Sequence, residues 1–282
     1  MLEGQPSRTA ERVAAARAAH QQIDSPLVFV DPLAVRMLNA DESALLRDHP
    51  ERHNLSPVAR FTRAIVVVRS RIAEDEIACA AAHGVTQYVL LGAGFDTFAY
   101  RNPHAAVRVF EVDHPASQGI KRERLSSAGI DPAGRATLVP CDFAHERPLD
   151  VLVARGFDIA RPAVFAWLGV VMYLEPADVT RTLRDLAALP SGTSVIFDYA
   201  MPPETLAWMP RQFYRRLLAR LAAHGEPWTC FFEPGPLHAD LVTLGFREVV
   251  DLGGDEINAS YLAHREDGLK AGAVGHIVVA RR

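Results

Sequence analysis

The amino-acid sequence predicts an α/β fold, a Rossmann-like, mostly parallel sheet that carries helices on both faces. The first observation is a short apolar run at 88–91, which has no polar residue and is typical of a strand buried on both faces. The second is a repeated alternation of apolar strand segments with helical segments after it. The third is a pair of glycines, Gly92 and Gly94, directly after that first strand. Glycines there let the chain turn sharply and let a ligand approach the backbone, so a ligand site is expected at this edge of the sheet.

The N-terminal region, residues 1–84, is predicted to be helical. Residues 7–22 are rich in alanine and arginine, and Ser7 is a candidate N-cap for this first helix. Pro32 and Pro57 suit first helical positions, so we expect a second short helix and a third, longer helix there. Because these helices cannot bury all their apolar surface alone, the region is expected to pack on the sheet as a lid.

The central region, residues 85–200, is predicted to be the ligand-binding core, because strands and helices alternate through it. Such a rhythm is typical of a parallel sheet. The predicted strands lie at 88–91, 107–113, 136–142, 163–171 and 193–199, and the predicted helices at 115–128, 148–155 and 176–189.

The last region, residues 201–282, departs from that rhythm. A long helical stretch at 202–224, rich in arginine and aromatic residues, is predicted to be a helical insertion or cap before the last strands. The segments 235–244, 246–252 and 276–280 complete the chain. No linker or internal repeat separates the regions, so a single domain over 1–282 is expected.

Composition and charge exclude several classes of function. The 282 residues are 49% hydrophobic and 23% charged, with a net charge of −4 and no basic block, so neither nucleic acid nor an anionic membrane is an expected partner. The three cysteines lie far apart, and the eleven histidines show no metal-binding spacing. A cytoplasmic protein without a metal site is expected, and a homodimer is left open.

The glycine pair could be a simple tight turn or part of a site for a nucleotide-type cofactor, and a carboxylate on the next strand favours the cofactor site. Asp113 ends the second predicted strand, nineteen residues after Gly94, which is the position from which an acid grips ribose hydroxyls. Glu111 alternates with it and is a second candidate. Dinucleotide loops carry a third glycine, but Thr97 stands at that position, preceded by Asp96. A carboxylate repels phosphates and suits an ammonium group, so the loop favours S-adenosylmethionine (SAM) over NAD.

The motifs of this core resemble a known family. LGAGFDTFAYR at 91–101, FEVDHP at 110–115 and the Cys141-Asp142-Phe143 strand end are similar to the leucine carboxyl methyltransferase family, and more closely to its bacterial SAM-dependent O-methyltransferase branch. The likeness runs from about residue 69 to the C-terminus. It implies a class I methyltransferase fold, SAM as methyl donor and a final antiparallel strand.

The resemblance also implies roles for single residues. Members carry an R-[ST]-R pair whose first arginine binds the methionine carboxylate of SAM, which gives that role to Arg69, with Arg71 as the alternative. Asp113 would bind the ribose. Asp142 would accept from the adenine amine, and the backbone N–H of Phe143 would meet a ring nitrogen. The candidate cofactor-binding residues are Arg69, Gly92, Ala93, Gly94, Asp96, Glu111, Asp113, Asp142 and Phe143.

The acceptor is less well defined by the sequence. A carboxylate is nucleophilic without a base, and no His-Asp or His-Glu pairing identifies a base, so a small-molecule carboxylate in secondary metabolism is favoured over a hydroxyl. No catalytic residue is assigned. Leu168 stands where the eukaryotic enzymes of the family carry a glutamate, so the resemblance does not carry over their protein substrate. The candidate acceptor-pocket residues are Tyr173, Tyr199, Trp208 and Tyr214. An NAD-dependent oxidoreductase and a non-catalytic SAM-binding protein are the alternatives.

Overall fold

A seven-stranded sheet runs through the centre of the molecule. The structure is a computed structural model, and it describes residues 8–282. The strands are β1 Gln87–Leu91, β2 Arg108–Asp113, β3 Thr137–Pro140, β4 Val164–Trp167, β5 Ser194–Ala200, β6 Glu248–Leu252 and β7 Gly275–Arg281. They lie in the order β3-β2-β1-β4-β5-β7-β6. The first five pair in parallel, whereas β7 is antiparallel to both β5 and β6. The α/β class and the final antiparallel strand are therefore confirmed.

Helices cover both faces of this sheet. They are α1 Arg8–Ile23, α2 Ala40–Asp48, α3 Pro57–Ala82, α4 Phe98–Arg101, α5 Pro115–Ser127, α6 Pro148–Ala154, α7 Pro176–Ala187, α8 Trp208–Ala223, α9 Pro234–Leu244 and α10 Gly254–Tyr261. Short 3₁₀ turns lie at Ala34–Met37, Pro50–Asn54, Val171–Tyr173 and Pro203–Thr205.

The first strand shows why the sheet is covered on both sides. All five residues of β1 are buried. Because side chains alternate along a strand, Tyr88 and Leu90 join one core cluster together with residues of α3, whereas Val89 and Leu91 join a second cluster with residues of α7 and α9. Because β1 is buried on both faces of the sheet, the sequence at 88–91 is an uninterrupted apolar run.

Several predicted elements have different bounds in the structure. The predicted strand at 163–171 ends at Trp167, because Gly169 (φ +75°) turns the chain out of the sheet. The helix expected after Pro32 is only the 3₁₀ turn Ala34–Met37, and the helices α2, α4 and α10 were not predicted. The predicted N-cap, Ser7, lies outside the described residues.

Candidate functional site

A cavity of about 470 Å³ opens at the carboxyl ends of β1, β2 and β4. The strand order reverses between β1 and β4, and the connections on the two sides diverge there. Open parallel sheets bind ligands at such a switch point, so the cavity lies where a ligand is expected. Helix α1 contributes several residues to the wall of the cavity, including Ala10 and Val13. That this helical region serves as a lid stays a prediction.

The glycine loop after β1 forms one wall of the cavity. Gly92 has φ +73°, and a Cβ there would lie 2.3 Å from Cγ2 of Val170, so a side chain at this position would clash. Gly94 has φ +47°, and its N–H donates to Oδ2 of Asp113 at 2.6 Å. Ala93, between them, also lines the cavity. The turn therefore keeps bare backbone next to the cavity.

Asp113 is the carboxylate that this loop brings to the cavity. Its Oδ1 accepts the N–H of His114 at 2.7 Å, while Oδ2 accepts that of Gly94. Burial raises the pKa of Asp113 above its ordinary value, although the two backbone donors oppose the shift. A carboxylate has about four acceptor positions, so Asp113 retains capacity for hydroxyl groups of a ligand.

Glu111 does not line the cavity. It lies two residues before Asp113 in β2, where Nζ of Lys121 is 2.8 Å away and the hydroxyl of Tyr100 donates to it at 3.2 Å. These two side chains cover it, and burial raises its pKa. The geometry gives Glu111 a structural contact with α5 and does not support a direct contact with a ligand.

Arg69 lines the cavity from α3. Its Nη1 donates to Oδ2 of Asp198 at 2.6 Å, and Oδ1 of the same carboxylate accepts the N–H of Gly169 at 2.6 Å. Arg71, the alternative, lies on the exposed side of α3 and pairs with Asp75 at 2.7 Å. Of the two candidates, Arg69 is the one that can reach a ligand.

Asp96 lines the cavity but is already paired with an arginine that the sequence did not single out. Nη1 of Arg17, in α1, donates to Asp96 at 2.6 Å, and Nη2 donates to Asp31 at 3.0 Å. Burial alone would raise the pKa of Asp96, but the neighbouring positive charges, Arg17 first, lower it to about 2. Arg101, at the end of the 91–101 motif, pairs with Glu74.

Thr97 occupies the position where dinucleotide loops have a third glycine. Its hydroxyl lies 2.8 Å from both carboxylate oxygens of Asp31. The Arg17–Asp31–Thr97 contacts therefore tie α1 and the following segment to the loop, and a polar bridge stands where a glycine would permit close helix packing.

Asp142 and Phe143 lie together at the end of β3 and both line the cavity. Oδ1 of Asp142 accepts the N–H of Ala144 at 3.0 Å, and its own N–H donates to Glu146 at 2.8 Å. Asp113 and Asp142 thus lie at the ends of adjacent parallel strands, where both can contact a single ligand that spans β2 and β3.

Only one of the four acceptor-pocket candidates lines the cavity. That residue is Tyr173, in the 3₁₀ turn after β4. Tyr199 is buried in β5 and donates to Asp251 at 2.6 Å, Tyr214 is buried in α8, and Trp208 is 67% exposed at the start of α8. The residue types of these aromatic side chains do not distinguish core and surface positions from the cavity wall.

Among the described residues, two His-Asp pairs lie within hydrogen-bond distance and outside the cavity, whereas His145 is 4.0 Å from Asp142, which lines it. His20 pairs with Asp24 at 2.7 Å, and its other ring nitrogen accepts the N–H of Val28 at 3.0 Å, so it is a buried structural residue. His276 pairs with Asp251 at 2.8 Å. Within residues 8–282, no cluster of metal-ligating side chains is found and no helix is long and apolar enough to cross a membrane.

The glycine loop gives a prediction with a matched control. Gly94→Ala and Gly84→Ala both place a Cβ in the left-handed region without a close contact, because the nearest atom is 3.9 Å from the first Cβ and none lies within 4 Å of the second. Each should lose about 1–2 kcal/mol of folding stability. Only Gly94 faces the cavity, so only Gly94→Ala should weaken SAM binding, by roughly tenfold. Thermal unfolding and calorimetry on both variants measure this, and equal SAM affinities would contradict it.

The chain is similar to known proteins in sequence. Residues 10–187 match the family described as leucine carboxyl methyltransferase. The chain is 30% identical to the Bacillus subtilis (strain 168) protein named "Putative S-adenosyl-L-methionine-dependent methyltransferase YktD", over 99% of each chain. It is 36% identical to the Mycobacterium tuberculosis (strain ATCC 25618 / H37Rv) protein named "Putative S-adenosyl-L-methionine-dependent methyltransferase Rv3787c", over 64% of this chain and 59% of that protein.

Solved structures share the fold. A crystal structure described as a "putative methyltransferase" from Thermobifida fusca YX has a TM-score of 0.59 and 18% identity, and covers 100% of this chain and 96% of the other. A DUF574 family protein from Streptomyces avermitilis MA-4680 has a TM-score of 0.56 and 20% identity, over 95% of this chain and 97% of the other.

Proposed function

This chain belongs to the leucine carboxyl methyltransferase family, and from that premise we propose that it transfers a methyl group from SAM to an oxygen atom of a small-molecule acceptor. Membership makes it a SAM-dependent methyltransferase with SAM as its cofactor. The oxygen acceptor, its small size and a place in secondary metabolism are the parts that we add.

The observation that carries the proposal is the cavity wall formed by the glycine loop and Asp113. Bare backbone at Gly94 and a carboxylate with spare acceptor capacity lie side by side, which suits a nucleoside with two free hydroxyls. A volume of about 470 Å³ is within the range of small-molecule pockets, which runs from roughly 300 to 1,000 Å³. The residues present therefore fit SAM.

The remaining candidate cofactor-binding residues are assigned to the adenine end or the methionine end of SAM. We propose that Asp142 and Phe143 bind the adenine, and that Arg69 binds the methionine carboxylate, because it is the candidate arginine that lines the cavity. Asp96 is held by Arg17, so we propose that its part is to fix the loop and to leave a negative potential near the ammonium group.

The proposed reaction needs no covalent intermediate with the protein. SAM supplies a methyl group that its sulfonium has already activated. The chain's own residues bind both ligands, hold the acceptor oxygen in line and exclude water, and α1 contributes to that exclusion by covering the cavity.

A binding comparison tests the cofactor assignment against the oxidoreductase alternative. Titration of the protein with SAM, S-adenosylhomocysteine and NAD in a calorimeter should show binding of the first two and none of the third. The reason is that Asp96 faces the cavity and Thr97 is engaged by Asp31, so the loop lacks the features that a pyrophosphate needs. NAD binding with no SAM binding would contradict the proposed function. Transfer of labelled methyl to any small acceptor separates an enzyme from a non-catalytic SAM-binding protein.

Three wider expectations accompany the proposal. We keep a cytoplasmic location, which agrees with three free thiols, two of them buried at Cys141 and Cys230. A homodimer stays open, and the lack of a nucleic-acid partner stays a prediction from charge. Whether the acceptor oxygen belongs to a carboxylate or a hydroxyl depends on whether the site offers a group that takes a proton.

A further inference from the structure

A chain of hydrogen bonds leads from the cavity to a carboxylate. The hydroxyl of Thr9 donates to Oε2 of Glu226 at 2.7 Å, and the hydroxyl oxygens of Tyr173 and Thr9 are 3.0 Å apart. Thr9 has one hydroxyl hydrogen, and Glu226 accepts it, so Tyr173 is the donor in the second bond. All three residues line the cavity. The lone pairs of the Tyr173 oxygen can then accept a hydrogen bond from a ligand.

This chain lies toward the loop and Arg69, where the methionine part of SAM is proposed to bind. The Cβ of Ala10, which follows Thr9, is 3.9 Å from the position that a Cβ of Gly94 would take. Arg69 and Tyr173 both line this cavity. The transferable methyl group belongs to that end of SAM, so an acceptor must reach the same region.

We propose that Tyr173, Thr9 and Glu226 form a proton relay and that the acceptor is a hydroxyl compound, an alcohol or a phenol. This inference rests on the proposed methyl transfer and specifies its substrate class. Tyr173 is the catalytic residue that touches the acceptor, and Thr9 and Glu226 act through it.

The step balances in atoms and charge. The acceptor oxygen forms a bond to the methyl carbon as the carbon–sulfur bond of SAM breaks, and that electron pair stays on sulfur. The acceptor's hydroxyl proton moves to the Tyr173 oxygen, the Tyr173 proton moves to Thr9, and the Thr9 proton moves to the Glu226 carboxylate. Glu226 is only half-buried and returns the proton to solvent.

A relay explains how a tyrosine of this kind can take a proton. Burial, the largest effect, raises the pKa of Tyr173, so it is not ionised at neutral pH and is no base by itself. It can accept a proton only if it gives up its own, and Thr9 is the group that receives it. Among the described residues, Glu226 and Arg69 are charged groups that act on Tyr173.

The charges of the cavity disfavour a carboxylate acceptor. Among the described residues, the arginines and lysines that line the cavity are Arg17 and Arg69, and each is paired with a carboxylate. Glu175 and Glu226 also line the cavity. Within the described part of the chain, a second anion would meet no arginine or lysine that is not already paired, whereas a neutral hydroxyl needs no counter-ion.

Matched probes and variants test the relay. Labelled methyl transfer is measured for 2-naphthol against 2-naphthoic acid, and for 1-octanol against octanoic acid. The variants are Tyr173→Phe, Thr9→Val and Glu226→Gln, with Thr9→Ser as the conservative change and Glu123→Gln, an exposed acid on α5, as the charge control. A further probe is 4-nitrophenol at alkaline pH, which is already ionised and needs no base. Calorimetry gives the affinity of each variant for SAM, and for 2-naphthol in the presence of S-adenosylhomocysteine.

The expected result is transfer to the hydroxyl member of a pair. For 2-naphthol, kcat should fall by roughly a hundredfold or more in the first three variants, as for loss of general base catalysis, with the affinities nearly unchanged. Thr9→Ser should recover most of the rate, and 4-nitrophenol should be far less sensitive. The solvent deuterium isotope effect on kcat should shrink with Glu226→Gln.

Three outcomes would overturn the relay. The first is transfer to the acids and not to the alcohols. The second is an equal loss of rate for 2-naphthol and 4-nitrophenol, which indicates a structural role. The third is a protein that binds SAM but methylates neither class of probe. Failure to bind SAM would overturn the proposed function itself.

Discussion

Replacing Asp113 with alanine should lower the affinity for SAM by roughly ten- to a hundredfold, because the ribose hydroxyls would lose a charged acceptor that is worth about 1.5–3 kcal/mol. The N–H groups of Gly94 and His114 now donate to this carboxylate, so the variant also frees two backbone donors at the cavity wall. Water can reach them, since the cavity is open, and the fold should survive. Calorimetric titration with SAM, together with circular dichroism of the variant, measures both effects.

Glu111→Gln is the matched control for Asp113→Ala. Glu111 lies on the same strand but is covered by Lys121 and Tyr100, so neutralising it leaves a buried ammonium group without its anion. The expected result is a lower melting temperature with an unchanged dissociation constant for SAM. If Glu111→Gln lost SAM affinity and Asp113→Ala did not, the ribose would have been assigned to the wrong carboxylate.

The pH dependence of binding gives a second readout of the same carboxylate. Burial raises the pKa of Asp113, so its ionised form, the form proposed to accept the ribose hydroxyls, is lost at a higher pH than for an ordinary aspartate. SAM affinity of the parent protein should therefore fall as the pH is lowered through that raised pKa. The fall should be absent or much weaker in Asp113→Ala.

The parts of the fold and site that the sequence predicts are those set by local pattern. The apolar run of β1, the glycines after it and an acid at the end of the next strand are short-range signals, and each constrains the backbone directly. Because carboxyl ends of parallel strands meet at one edge, the sequence places Gly94, Asp113 and Asp142 at the same edge, and all three line the cavity.

The parts that the sequence does not predict depend on contacts between distant segments. Arg17 reaches Asp96 across 79 positions, and Thr9 reaches Glu226 across 217. Neither pair has a spacing that marks it in the chain. Tyr199 was a candidate for the acceptor pocket because of its residue type, but its position in β5 buries it against Asp251. Side-chain type alone does not separate a cavity wall from a core when burial is decided by tertiary packing.

Arg69 should give the largest effect of any single substitution in the site. Its side chain and that of Asp198 are 7% and 5% exposed, and they form an ion pair at 2.6 Å. Arg69→Ala would leave the carboxylate buried without a counter-ion, which typically costs about 3–5 kcal/mol of folding stability. Thermal or denaturant unfolding should show this loss directly. Arg71→Ala is the matched control, since its pair with Asp75 is exposed and should contribute little.

A double variant separates the role of Arg69 in binding from its role in folding. Arg69→Met combined with Asp198→Asn removes both charges, and the asparagine oxygen can still accept the N–H that Gly169 now donates to Asp198. Replacing a buried ion pair with neutral groups is often tolerated, so this protein should fold even if Arg69→Ala does not.

The decisive measurement compares two ligands on the parent and the double variant. SAM carries the carboxylate that Arg69 is proposed to bind, and decarboxylated SAM lacks it. SAM affinity should fall by roughly ten- to a hundredfold in the double variant, as for loss of a charged hydrogen bond. Decarboxylated SAM should bind the parent weakly and the double variant with nearly the same affinity. Equal weakening of both ligands would mean that Arg69 only supports the cavity wall beside Gly169, whose Cβ position lies 2.7 Å from the guanidinium. A loss selective for SAM in Arg71→Ala would move the carboxylate contact to the exposed face of α3, which the geometry opposes.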